Sequence, residues 1–342
     1  EHTCAVMLDG SMKCWGQNQY GQVGNGNDSQ FDVPVVVSGL TNVVQVTAGL
    51  LHSCAVLSDG TAKCWGSNDH GQLGDGTTSP SSVPVSVSGL ANATQIAVGY
   101  LHSCAVLADG TVKCWGDGYY GELGNGTNNS SNVPVVVSGL TNATQIAVGF
   151  VHSCAVLADG TARCWGHNAS GQLGNGTNTD SNVPVTVSSL TNALQVAVGY
   201  VHSCAVLLDG TARCWGDNGG GALGNGTNTS SNVPVTVSTL NDTAQITTGY
   251  ADSCAVLSDG SAACWGYLGD LAGLFAGNAS GFVNKPEIVS GLNGVTQIDR
   301  GFGYGCVVLS DGTARCWGTN AHGELGGGFF GFPPKPVPVI VP

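Results

Sequence analysis

Fourteen cysteines stand in seven pairs, and the two members of each pair are ten residues apart. The pairs are Cys4 with Cys14, Cys54 with Cys64, Cys104 with Cys114, Cys154 with Cys164, Cys204 with Cys214, Cys254 with Cys264, and Cys306 with Cys316. Thiols so arranged could bind a metal or cross-link. Structural zinc asks for Cys-x-x-Cys knuckles, and none occurs, so cross-linking is the stronger reading. An Asp-Gly lies between the two cysteines of every pair. A two-residue turn there would pair Cys54 with Trp65 and put the sulfurs on opposite faces. A three-residue loop of Ser58, Asp59 and Gly60, with the glycine left-handed in a bulge, instead sets Cys54 directly opposite Cys64. Seven recurrences of Asp-Gly favour the second geometry, and seven disulfides are expected, one per pair.

Histidines 2, 52, 102, 152 and 202 recur two residues before the first cysteine of a pair. A ring of imidazoles could bind a metal, but Asp252 and Tyr304 interrupt it. The simpler expectation is that each histidine bonds backbone within its own repeat, and no metal is assigned. His102 and Ser103 are neighbours along an extended segment, so their side chains point to opposite faces and cannot act as base and nucleophile. No other acid/base pair stands out. Neither enzymatic activity nor a cofactor is expected.

What positions these residues is a repeat. The segment Gly99, Tyr100, Leu101, His102, Ser103, Cys104 recurs nearly letter for letter at Gly149 and Gly199 and more loosely at Gly49 and Gly249, a period of fifty. An incomplete copy at the start and a divergent one near Cys306 bring the count to seven. The units run approximately 1–43, 44–93, 94–143, 144–193, 194–243, 244–295 and 296–342, within one domain of 342 residues. In the unit taken as example, short apolar runs at 94–98, 103–107, 111–115 and 133–137 read as strands A to D, separated by Gly, Asn, Asp and Pro. No segment shows a helical apolar period. Four-stranded antiparallel units of this length are propeller blades, so the expected fold is all-β, a seven-bladed β-propeller.

The repeat text resembles the regulator of chromosome condensation family. The match lies in His102, Ser103, Cys104, Ala105 and Val106, then Asp109-Gly110, Trp115-Gly116, and Gly121, Glu122, Leu123 and Gly124. It spans the whole chain. The resemblance implies the propeller and protein-binding roles. The family's nuclear exchange factor works through a β-wedge inserted in one blade; nothing comparable interrupts these units, so exchange activity is not expected. Secreted propellers of the same repeat type include an inhibitor of β-lactamases.

Within such a propeller the connector from strand A to strand B places Tyr100, Phe150, Tyr200, Tyr250 and Phe302 at equivalent positions around one mouth of the central channel. Such a ring could stack sugars or peptide side chains, or could be packing between blades; packing is preferred. The seven tryptophans of the Cys-Trp-Gly motifs are expected in blade cores. Symmetry fails late in the chain, where six of the eight phenylalanines fall between residues 275 and 332. Leu271, Leu274, Phe275, Phe329, Phe330 and Phe332 form a candidate interface, with a locally repacked blade joint as the alternative.

Composition bounds the partners. Nine basic against 22 acidic residues give a formal net charge of −13, and no basic run exists, which argues against nucleic acid. No stretch approaches the roughly 20 apolar residues of a membrane-spanning helix. Paired cysteines in this number point to an extracellular or cell-surface location. There, sequons at Asn92, Asn142, Asn168, Asn225 and Asn278 would be open to N-glycosylation, although turn-forming asparagines explain them equally well. The start at Glu1, without Met or an apolar leader, reads as processed or truncated.

The functional expectation is an extracellular structural or interaction scaffold, with copies of itself or another protein as partner and a filament, tube or surface lattice as its assembled form. A secreted recognition module is the alternative. One further feature bears on assembly: strands of type A occur only six times, near residues 44, 94, 144, 194, 244 and 296. The first blade is therefore expected to be one strand short.

Overall fold

The structure is a computed structural model, and it describes residues 1–268, 281–331, 333 and 335–340. Its smallest unit is the hairpin around Asp-Gly. In the second repeat the Leu57 amide donates to the Thr61 carbonyl at 2.9 Å and the Gly60 amide to the Leu57 carbonyl at 2.9 Å. Gly60 has φ +77, which a residue with a Cβ rarely adopts, and Asp59 Oδ1 accepts from the Thr61 amide and hydroxyl. The hairpin so closed sets Cys54 opposite Cys64, and the same rung recurs in every repeat. All seven pairs are disulfide-bonded, with Cα atoms 4.0–4.1 Å apart.

Among the described residues the strands assemble into seven antiparallel sheets, six of four strands and one of three. In the first repeat β1 (His2–Val6), β2 (Met12–Gly16) and β3 (Phe31–Val36) form the three-stranded sheet, with β1 innermost. In the second, β4 (Val43–Ala48), β5 (His52–Leu57), β6 (Ala62–Gly66) and β7 (Ser81–Ser86) run outward from the channel in sequence order. The third unit's strands are Ala93–Val98, His102–Leu107, Val112–Gly116 and Ser131–Val136. The fourth of these starts two residues before its expected position, because Ser131 already pairs with Gly116 across a bulge. No helix among the described residues is long and apolar enough to cross a membrane.

Outer edges are protected. Strand D carries a proline at the same place in the first six blades, Pro34, Pro84, Pro134, Pro184, Pro234 and Pro286, and proline cannot donate to a further strand.

The core lies between the blades. The apolar cluster that holds Cys54, Val56, Leu73 and Ile96 also contains Trp115, which belongs to the next blade. Equivalent clusters hold Trp65, Trp165 and Trp215. The tryptophans are thus wedges at blade joints, which corrects their expected place in blade cores. The Trp115 indole donates to the Gln72 carbonyl at 2.9 Å, and a Cβ on Gly74 would sit 2.7 Å from the ring nitrogen, so only glycine lets the wedge in.

Candidate functional site

The same joints collect the recurring histidines. His52 Nε2 lies 2.8 Å from Ser103 Oγ of the following blade, and Ser103 Oγ is 3.0 Å from the Gln72 carbonyl. A serine hydroxyl has one proton and gives it to that carbonyl, so Nε2 carries the proton shared with Oγ, and burial keeps the imidazole neutral. His102 repeats the contact with Ser153 at 2.9 Å, His152 with Ser203 at 2.8 Å, and His202 with Ser253 at 3.0 Å. His2 makes it with Ser53. Histidine therefore ties each blade to the next, which corrects the expectation of a backbone bond within its own repeat.

Burial depresses these imidazoles, His52 to about 3 and, against a smaller upward pull from Asp117 and Asp217, His102 and His202 to about 4. Where the sixth blade has Asp252 instead, Arg300 from the seventh reaches across with Nε and Nη2, both 2.6 Å from Asp252 Oδ2. Tyr304 closes the last joint by donating its hydroxyl to the His2 carbonyl at 2.7 Å. Each serine and histidine of these pairs is at most 1% exposed. A neutral base beside a hydroxyl that already serves a carbonyl, with no path to solvent, is an architectural bond.

The open chemistry lies on the axis. A central cavity of about 520 Å³ is lined by the innermost strands and by the connectors that follow them. The connector glycines meet here: a Cβ on Gly99 would fall 1.9 Å from the Gly149 carbonyl oxygen. Beside them Tyr100, Phe150, Tyr200, Tyr250 and Phe302 form a continuous arc. Successive ring centroids are 4.2, 4.2, 4.6 and 4.6 Å apart, and the first pair is stacked nearly parallel. Each ring packs on the ring of the next blade. Tyr250 and Phe302 keep 41% and 42% of their surface exposed at the cavity mouth, so the arc is a joint on one side and an apolar surface on the other.

Of the candidate interface, Phe330 is exposed and Phe329 half-buried, its carbonyl accepting from Asn320 Nδ2 at 2.7 Å. Leu271, Leu274, Phe275 and Phe332 lie outside the described residues, as does the sequon at Asn278. Asn168 is fully buried and its amide nitrogen donates to the carbonyls of Thr177 and Thr179, both at 3.0 Å. It is a loop staple and offers no free nitrogen to a glycan, whereas Asn92 and Asn142 are exposed in left-handed turns.

Residues 1–205 match the RCC1-like domain, and residues 194–222 and 209–256 match the regulator of chromosome condensation (RCC1) repeat. The chain belongs to the RCC1-like domain family. Among solved structures this RCC1-like chain is similar to human WBSCR16, with a TM-score of 0.86 and 22% identity over 97% of this chain and 95% of that one. It is similar to yeast RCC1 (Prp20) bound to Kap60, at 0.86 and 19% over 98% and 85%. The CRINKLY WD40 ectodomain of the Arabidopsis thaliana receptor kinase ACR4 aligns at 0.56 and 18% over 93% and 90%. These identities speak for the fold alone. No curated protein matches the chain by sequence.

One set of recurring residues was passed over by the sequence reading. A glutamine stands on the inner strand of each four-stranded blade, at 45, 95, 145, 195, 245 and 297. Gln45 Nε2 donates to the Ile96 carbonyl at 3.0 Å while its Oε1 accepts from the Ile96 amide at 2.9 Å. Gln145, Gln195 and Gln245 grip Val196, Ile246 and Ile298 in the same two-handed way. The constancy of this one polar residue amid changing neighbours was the available signal.

Proposed function

We propose that this chain is a non-enzymatic extracellular scaffold that binds other proteins, including copies of itself. The observation that carries the reading is the seven-fold recurrence of a disulfide at one rung, a stabilisation that suits an oxidising milieu and that repeats the same outward surface from blade to blade. That surface includes Val83, Val133, Val183 and Val233, equivalent on the outer strands and 38–42% exposed. Equivalent apolar points suit multivalent contact between copies, through side chains because the prolines block strand pairing there.

The fold's relatives include a receptor ectodomain and a yeast protein whose binding to Gsp1p and histones has been described. A net charge of −13 repels polyanions such as nucleic acid and favours a neutral or basic protein surface as partner. The aromatic arc supports the alternative of a recognition module with its site at the channel mouth. Sedimentation velocity of the oxidised chain across a hundredfold concentration range tests assembly: growth of larger species is expected, and a monomer throughout would refute it.

A further inference from the structure

The C-to-D loops and the A-to-B connectors leave the propeller on one face, and the Asp-Gly hairpins leave it on the other. Charge is divided between the two. Six of the nine basic residues, Lys13, Lys63, Lys113, Arg163, Arg213 and Arg315, stand at one position of strand C, just past the hairpin turn. In the first five blades no C-to-D loop or connector carries a Lys or Arg, while the loops hold Asp69, Asp75, Asp117, Asp180 and Asp217. The loop face of these blades is therefore anionic.

One loop on that face departs from its neighbours. The first, second, fourth, fifth and seventh blades carry a fully buried asparagine near the start of the loop, Asn18, Asn68, Asn168, Asn218 and Asn320. The third blade has Gly118 there, where a Cβ would fall 2.4 Å from the Asn129 carbonyl oxygen. Ser130 ties this loop instead: its Oγ accepts from the Gly118 amide at 3.2 Å and donates to Asp117 Oδ1 at 3.0 Å. Tyr119, next along, is 69% exposed, with its ring perpendicular to that of Tyr120 at 4.9 Å. Tyr120 leans on His167 of the fourth blade at 4.5 Å.

Two carboxyls meet at the foot of this loop. In the second blade Gln72 Oε1 accepts from the His70 amide while Nε2 donates to Ser67 Oγ at 3.2 Å. Glu122 Oε2 holds the Tyr120 amide in the same way, so Oε1 takes the place of that Nε2 and faces residue 117, which here is an aspartate. Glu122 is 2% exposed, and its Oε1 has no hydrogen-bond partner among the described residues. Asp117 Oδ1 is bonded by Ser130 and lies 3.5 Å from His70 Nδ1, while Oδ2 has no partner among the described residues. Acceptors so placed and left without a donor are costly, and a donor brought by a ligand relieves that cost.

We propose that the third blade's loop is a docking site for an arginine side chain of a partner protein. The inference rests on the reading of the chain as a protein-binding scaffold and names one site and what it accepts. A guanidinium is planar, permanently charged and able to bond two acceptors at once, and its face stacks on aromatic rings. Asp117 Oδ2 and Glu122 Oε1 receive its N–H groups, and Tyr119 covers its face. The arginine comes from outside the chain, whose own arginines are engaged: Arg300 with Asp252, and Arg163, Arg213 and Arg315 with the turn aspartates of their own hairpins.

The test titrates Nα-acetyl-arginine amide into the full 342-residue chain and follows the ring resonances of Tyr119 and Tyr120. Saturable shifts are expected, with affinity at least about tenfold above that of Nα-acetyl-citrulline amide, which keeps the shape and lacks the charge. Tyr119→Ala should weaken binding about tenfold, and so should Asp117→Ser combined with Glu122→Gln. Both variants should fold, because Tyr119 is exposed and the second blade already carries the Ser-Gln pair. Absence of saturation overturns the proposal, as does equal affinity for the citrulline compound or binding that survives both variants. Loss of concentration-dependent assembly in the double variant would make the guest a second copy's arginine and overturn the foreign partner. Failure to bind arginine with assembly intact refutes the site and spares the scaffold reading, and a chain that stays monomeric yet binds arginine does the reverse.

Discussion

His52 Nε2 donates to Ser103 Oγ across 2.8 Å, from one blade to the next, inside a joint that admits no water-exposed atom of either side chain. The bond requires a proton on Nε2, burial keeps the imidazole neutral, and all five recurring histidines meet a serine of the next blade in the same way.

Acid should therefore loosen the ring at its joints. The folded-state values of about 3 for His52 and about 4 for His102 and His202 lie below the ordinary 6.5, so between those limits the unfolded chain binds more protons than the native one. The stability is fully present above pH 6.5 and is lost as pH falls toward 4. Melting temperature measured from pH 7.5 down to 4.5 should fall steadily below about 6.5; a flat or rising curve would show that the histidines ionise freely.

Glu122 behaves in the opposite sense. Gln22, Gln72 and Gln172 hold the amide two residues earlier with a neutral oxygen, and Glu122 Oε2 does so for Tyr120 at 2.8 Å as a buried acid raised to about 7. Its folded value is above its unfolded one, so the native state is favoured by protonation and that advantage is lost as pH rises through 7. Glu122→Gln should stabilise the chain by about 1–3 kcal/mol at pH 8 and by little at pH 5, read from denaturant midpoints at the two pH values. Equal effects at both would place the carboxylate in water.

Each disulfide closes a short loop. Replacing Cys104 and Cys114 together by alanine should cost roughly 2.5–3 kcal/mol on the chain-entropy argument, plus the packing lost from two fully buried sulfurs. A cost under about 1 kcal/mol would mean that the unfolded hairpin is already held together without the bond.

The tryptophan wedges are worth more than their rings. Trp115→Phe should lose about 1 kcal/mol for the bond to the Gln72 carbonyl and more for the unfilled volume, whereas a residue confined to one blade's core would couple to no partner across the joint. A double-mutant cycle with Leu73→Ala measures that coupling, since Leu73 belongs to the second blade and packs in the same cluster as Trp115.

The propeller was legible because repetition multiplies weak signals. One Asp-Gly between two cysteines is an ambiguous turn; seven at constant spacing leave one hairpin register. The three-stranded first blade was equally legible, since six inner strands cannot serve seven sheets. What the sequence hid was neighbourhood across a joint. Alternation says that His102 and Ser103 face opposite ways, and they do, yet it cannot say that His52 meets Ser103 fifty-one residues away. Trp115 was misplaced for the same reason, because a wedge between sheets and a core residue within one have the same burial pattern along the strand. In the phenylalanine-rich stretch Phe282, Phe302 and Phe330 are exposed and Phe329 is half-buried.

The central claim, a scaffold built in an oxidising compartment, is tested most directly by the mass of the protein purified from its native source and alkylated under denaturing conditions without reductant. The account predicts no alkylated cysteine among the fourteen. Stoichiometric labelling at several pairs would contradict both the disulfide framework and the extracellular reading that rests on it.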